Sequence, residues 1–266
     1  MAGEKREAEM IGLFTEMLDE MDAAFREFEA VVPKPVWIDA EKRFRCKEQT
    51  IQQALIQKLA RIQSALRASL LLFQNGYTME VGMLHRVIDE TNEDVELLTS
   101  AIVTNEITPL HERYLKAFWA EEFGDESDPG RTHQSRDMVK RQKIRAHNAR
   151  ALGDGSDVSE PLVAAKIINK AFSGFVHGAA PHILECFGGH PPHFHTQGLL
   201  GTPRMPEYEH SLWNYMYRGF MSHLFVAQAL RAESVSRKLQ EEKRRFEAIA
   251  GVDYSVRPRS YRNSGK

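Results

Sequence analysis

The chain has 266 residues, 42% hydrophobic and 27% charged, which supplies one sizeable core and excludes a wholly disordered chain. The formal net charge is −2, and the only cysteines are Cys46 and Cys186, which excludes a disulfide scaffold and makes a reducing, cytoplasmic setting the expectation. No apolar run approaches the roughly 20 residues that span a bilayer, so no membrane association is expected.

Residues 4–31 carry Met10, Phe14, Met17, Met21, Phe25 and Phe28 at steps of three and four, the period of a helix buried on one face, and Pro33 and Pro35 end it. The charged start Met1–Glu7 shows no apolar leader. A second helix is expected from about Ala40 to Phe73, with Ile51, Leu55, Leu59, Ile62, Leu66 and Leu70 inward and Asn75-Gly76 as its stop. The third, about 77–105, carries the clearest seam: Val81, Leu84, Ile88, Thr91, Val95, Leu98 and Ile102. Pro109 opens a short fourth helix with Tyr114, Leu115, Phe118 and Trp119.

Gly124–Gly130 reads as an acidic loop. Residues 134–152 read as a basic helix with a thin apolar face of Met138, Ile144 and Leu152, and Gly153–Asp157 as a turn. A sixth helix starts near Ser159 and Pro161 and buries Leu162, Ala165, Ile168, Phe172 and Val176, with a break at Gly178–Pro181. Residues 188–206, holding four prolines, read as a long loop. A last helix is expected over 207–248, its first half inward through Leu212, Met216, His223, Val226 and Leu230 and its second half projecting into solvent. No strand pattern is evident. The expectation is an all-α bundle of about seven helices with long N- and C-terminal helices, one domain over 1–250 and a basic flexible tail, 251–266.

Charge is polarised along the chain: nine acids against three bases in residues 1–30, twelve against three in 80–126, and seven bases against Asp137 in 131–150. Such a surface suits an anionic ligand or RNA at its basic end, or a second copy of the chain pairing acidic face with basic face. The basic segment lacks interleaved aromatics, so base stacking is not indicated there.

Three groups of residues could carry chemistry. Arg86 and Glu90 are four apart on the third helix, close enough for an ion pair; with Met79, Met83 and Leu97 they fall opposite the apolar seam, in a sector that would be partly buried. Asn169, Ser173 and His177 form a row on the sixth helix, where Ser173 and His177 could act as hydroxyl and base or simply satisfy each other in the core. His190, His193 and His195, with Cys186 or His182, could ligate zinc, although no familiar zinc spacing is present. A di-iron bundle needs two Glu-x-x-His motifs; only Glu207 to His210 matches. Arginine and histidine separated by four to six residues, a HEPN ribonuclease pattern, occur at Arg141/His147, Arg204/His210 and Arg218/His223, about as often as chance gives. Arg218/His223 is the best placed of the three, though Gly219 stands where a polar residue is usual. No cofactor is expected.

Gly82-Met-Leu-His-Arg86-Val-Ile-Asp-Glu90 and Ser173-Gly-Phe-Val-His177-Gly178 resemble motifs of a group of bacterial all-helical proteins, to which no activity is attached and some of whose members are compared with HEPN-like or abortive-infection proteins. The resemblance spans roughly residues 50–190. It implies a helical core in which Arg86, Glu90, Ser173 and His177 lie near one another. The leading expectation is an interaction module with a polar cleft built by those four residues, in a stress or phage-defence setting. The alternatives are a metal-independent RNase using His177 or His223 with an arginine, and a structural homodimer.

Overall fold

The computed structural model describes residues 2–120, 137–151 and 159–251. The expected acidic loop 124–130, the turn 153–157, the basic residues 131–136 and all but Gly251 of the expected tail lie outside them. Helix α1 (Ala2–Val31) leads into a two-stranded antiparallel hairpin, β1 (Val36–Ile38) and β2 (Arg43–Arg45). Then come α2 (Ile51–Gln74), α3 (Thr78–Thr104), α4 (Pro109–Trp119), α5 (Arg141–Ala151) and α6 (Ser159–Val176). A short α7 (Ala180–Ile183), a 3-10 turn and a second small hairpin, β3 (Phe187–Gly188) and β4 (His193–Phe194), precede α8 (Met205–Ala229) and α9 (Glu233–Ala250). The all-α class holds, with nine α-helices among the described residues rather than seven.

The extra helices and the strands arise where local chemistry departs from the hydrophobic period. α2 begins eleven residues later than expected, at Ile51 where its apolar row starts, and the residues before it form the first hairpin, across which Trp37 and Phe44 face each other with ring centroids 5.2 Å apart. Its start is fixed by a reciprocal cap: Gln53 N–H donates to Thr50 Oγ1 at 3.1 Å and Thr50 N–H to Gln53 Oε1 at 3.0 Å. The proline-rich stretch 188–206 holds the second hairpin, with Phe187 against Phe194 at 4.8 Å.

The expected final helix is two. At the C-terminus of α8 the Ala232 N–H donates to Ala227 O at 2.9 Å and the Arg231 N–H to Gln228 O at 3.1 Å, the paired bonds that close a helix when the next residue turns left-handed. Arg231 takes that conformation, φ 56°, so no glycine marks the break. α9 does not project into solvent; it folds back onto α1 and α8. Leu239 and Phe246 are buried, Phe246 edge-on to Phe220 at 5.3 Å, and Lys238–Glu20 and Arg245–Glu16 tie it to α1 at 2.7 and 2.9 Å.

The core lies between α1, α2, α3, α8 and α9, through Phe14, Met17 and Met21, then Leu55, Leu59, Ile62 and Leu66, then Ile88, Val95 and Leu98, then Met216 and Phe220. α3 is central, packing on α2, α8, α6 and α5. A 27-residue helix enclosed on so many sides cannot keep one polar face in water, and its polar residues have to find partners inside.

Candidate functional site

On α3 the residues His85, Asp89, Asn92, Glu93, Glu96 and Ser100, three or four apart except for the adjacent Asn92 and Glu93, make a polar stripe beside the apolar seam. The facing helices carry matching rows. From α8, Ser211 Oγ lies 3.3 Å from His85 Nδ1, Arg218 pairs with Asp89, and Ser222 Oγ donates to Asn92 Oδ1 at 2.8 Å. From α5, Arg145 Nε meets Glu93 Oε1 at 2.5 Å, and Asn148 Nδ2 donates to Glu93 O at 2.9 Å and to Glu96 Oε2 at 3.0 Å. His147 Nε2 lies 2.9 Å from Ser100 Oγ. Beside the stripe, the buried Asp94 carboxylate is held between Lys58 Nζ, 2.8 Å away, and Arg141.

Burial leaves its mark on this stripe. It pushes Glu93 up to about 7 against the pull of Arg145, and it raises Glu96 against the Asn148 hydrogen bond. Glu93 Oε2, Asn92 Nδ2 and Asn148 Oδ1 are buried without a hydrogen-bond partner among the described residues.

Arg86 and Glu90 are joined, Nε to Oε1 at 2.7 Å, and Glu90 extends the pair to Arg141 Nε at 3.7 Å. Both side chains are about a quarter exposed. Arg141 and Arg145, expected on a basic outer face, instead turn inward to the acids of α3, while Lys140, Lys143 and Arg150 remain exposed.

α3 and α6 do face each other, and Gly82, His85, Phe172 and Phe175 make contacts between them. Phe175 lies across Gly82, where a Cβ would come within 2.7 Å of the ring, and Phe172 meets His85 edge-on at 5.4 Å. Ser173 is half-buried and His177 exposed, and no hydrogen bond joins their side chains among the described residues. His177 ends α6: Gly178 follows at φ +62°, and Ala179 N–H returns to Gly174 O at 2.9 Å. Gly174 is required for packing, since a Cβ there would sit 2.1 Å from the His182 ring. The Asn169 side chain lies outside the described residues.

His223 is fully enclosed. Gly219 O can only accept, so His223 Nδ1 carries the proton of that 2.8 Å bond and Nε2 accepts from Gln63, 2.8 Å away; Gln63 also donates to Met21 O at 3.0 Å. Burial lowers this imidazole to about 4, and it joins α1, α2 and α8 as a neutral group. Its sequence partner Arg218 faces Asp89 on another side of α8. Of the loop histidines, His193 and His195 are neighbours with ring centroids 4.3 Å apart, and His193 Nδ1 is held by Pro191 O at 2.9 Å. Among the described residues no group of three His, Cys, Asp or Glu side chains is placed to hold a metal ion.

The crevice between α3, α6 and α8 has a volume of about 320 Å³, and His85, Phe172, Phe175, Tyr208 and Ser211 line it together with Glu185, Arg204 and Glu207. Tyr208 Oη donates to Glu185 Oε2 at 2.5 Å, and Arg204 reaches the Glu185 carbonyl. Tyr215 stacks on His85 with centroids 4.0 Å apart and planes 13° apart. Burial drives His85 down to about 3, so it is a neutral imidazole at physiological pH. Its Nε2 has no partner among the described residues. His85, Asp89 and Ser211 were missed by attention to ion-pair and nucleophile spacings. The signal that finds them is polar residues recurring on one face at 85, 89, 92, 93, 96 and 100, matched by 211, 215, 218 and 222. Comparison with protein-family models, with curated proteins and with solved structures found no match.

Proposed function

We propose that the chain is a small-molecule-binding module whose ligand occupies the crevice between α3, α6 and α8. His85 Nε2 carries the reading: it is a buried ring nitrogen with no partner, on a neutral imidazole lining an aromatic-walled cleft. Leaving such a group unsatisfied costs on the order of 1–3 kcal/mol, a cost that a ligand hydrogen bond removes. Phe172 and Phe175 offer flat surfaces, while Tyr208, Ser211 and Glu207 supply polar groups at the rim. Small-ligand sites are concave and combine flat apolar walls with converging polar groups; this crevice, polar and aromatic in comparable measure, suits a flat nitrogen heterocycle. In place of the four residues that the family resemblance pointed to, this reading puts His85 and Ser211 at the centre.

Saturation-transfer NMR with indole, benzimidazole, adenine and cytosine tests it. At least one is expected to receive magnetisation from the protein and to lose it in Ser211→Leu, whose side chain fills the crevice, with the helical circular dichroism unchanged. Silence from all four heterocycles would sink the proposal. The nuclease expectation has no comparable support: His223 is enclosed with both ring nitrogens engaged, and exposed His177 has no arginine bonded to it among the described residues.

A further inference from the structure

We infer that the ligand class of this crevice is a mononucleotide, its base against His85 and its phosphate at Arg218; the inference rests on the crevice being a ligand site. A second chamber of about 460 Å³ is lined by Ile168, Phe172, Ser211, Asn214, Tyr215, Tyr217 and Arg218. It shares Phe172 and Ser211 with the His85 crevice, so the two adjoin beside α6 and α8, and we take them as one groove.

The ends of this groove differ in charge. The His85 end holds Glu185 and Glu207 against Arg204, which repels an anion and offers acceptors to ring N–H and amino groups. The Arg218 end has a guanidinium and the Asn214 amide and, among the described residues, no carboxylate in its lining. Asp89 holds Arg218 from the buried side, being 6% exposed, whereas the Arg218 side chain is 40% exposed. One Arg218 nitrogen is thereby fixed, the guanidinium lies 5.7 Å from the Tyr215 ring centroid, and the side chain lines the groove, where a planar fork suits a phosphate. Between the two ends Phe172 sits edge-on to both His85 and Tyr215, at 5.4 Å from each. A flat base at one end and a phosphate at the other match this distribution, and the reverse orientation would put the phosphate against two carboxylates.

The test is calorimetric titration of the full chain with AMP, GMP, adenosine, guanosine and inorganic phosphate. At least one nucleotide is expected to bind tenfold or more tighter than its nucleoside, and inorganic phosphate more weakly than either. Replacing Arg218 alone strands a buried Asp89, so the variant is the double replacement Asp89→Asn with Arg218→Met. It is expected to bind nucleoside and nucleotide equally at an unchanged melting profile, and a separate Asn214→Ala variant to narrow the preference if the double variant does not fold. Equal binding of nucleoside and nucleotide by the unaltered protein would overturn the inference and leave the crevice as a heterocycle site. So would heterocycle binding with no response to either nucleotide. No response to any heterocycle, nucleoside or nucleotide would overturn both.

Discussion

Replacing His85 by Gln should remove a specific part of the protein's acid sensitivity. In the folded chain the imidazole titrates near 3 because burial disfavours its charge, whereas an unfolded histidine titrates near about 6.5. A histidine whose folded value is depressed contributes stability above its unfolded value and loses it as pH falls towards the folded one. Between pH 7 and pH 5 the unfolded chain takes up a proton that the folded chain refuses. The linkage gives a loss of about 2 kcal/mol over that interval, with about a third of it reached by pH 6. His223 acts in the same direction and Glu93, pushed up to about 7, in the opposite one, but both are present in the variant and cancel in the comparison. Urea unfolding at pH 7, 6 and 5, followed by circular dichroism, should therefore show His85→Gln losing about 2 kcal/mol less than the unaltered protein. The offset between the two proteins at pH 7 plays no part. Parallel stability curves would mean that His85 is hydrated or charged in the folded state, and the reasoning about its buried ring would fail.

Three further outcomes follow from the packing. Asp94→Asn leaves Lys58 and Arg141 facing a neutral group at a site 1% exposed, and should cost about 3 kcal/mol in chemical denaturation; a loss under 1 kcal/mol would contradict the buried double pair. Gly174→Ala places a Cβ against the His182 ring, which is held by Ala171 O at 2.8 Å, so a loss of about 1–3 kcal/mol is expected, whereas Gly251→Ala, with open space at its Cβ, should owe its cost to its positive φ alone. At the left-handed turn between α8 and α9, Arg231→Val should lower stability by about 1–2 kcal/mol while Arg231→Gly leaves it level or raises it slightly. Equal effects of Val and Gly would show that the residue does not need a left-handed backbone.

The helices of this protein were legible wherever burial is one-sided. α1, α3 and α4 follow their apolar period nearly to the residue, because one seam of large side chains decides which face turns inward. Two short hairpins were not legible: Val36–Ile38 and Phe187–Gly188 are too short for alternation to register, and aromatic pairs hold them instead of a long ladder. The α8–α9 break left no composition signal, since Arg231 occupies a place that glycine usually takes. The site was legible in part. α3 is packed by several helices and Arg86 and Glu90 do pair, but Met83 of the mixed sector is exposed, so that sector is only partly covered. Searching for ion-pair and hydroxyl–imidazole spacings within one helix, however, passed over His85, whose hydroxyl comes from Ser211, 126 residues away. Partners on different helices cannot be matched until the helices are docked, although the rows at 85–100 and 211–222 already share a period.

The most direct measurement is the long-range nitrogen–proton NMR spectrum of the histidine rings at pH 5, without nucleotide and with AMP or GMP, with the His85 signals assigned through His85→Gln. His85 should be neutral in the free protein and its Nε2 resonance should move on adding at least one of the two nucleotides, while His223 stays neutral and unmoved. A protonated His85 at pH 5, or an Nε2 signal indifferent to both nucleotides at saturation, would contradict the account.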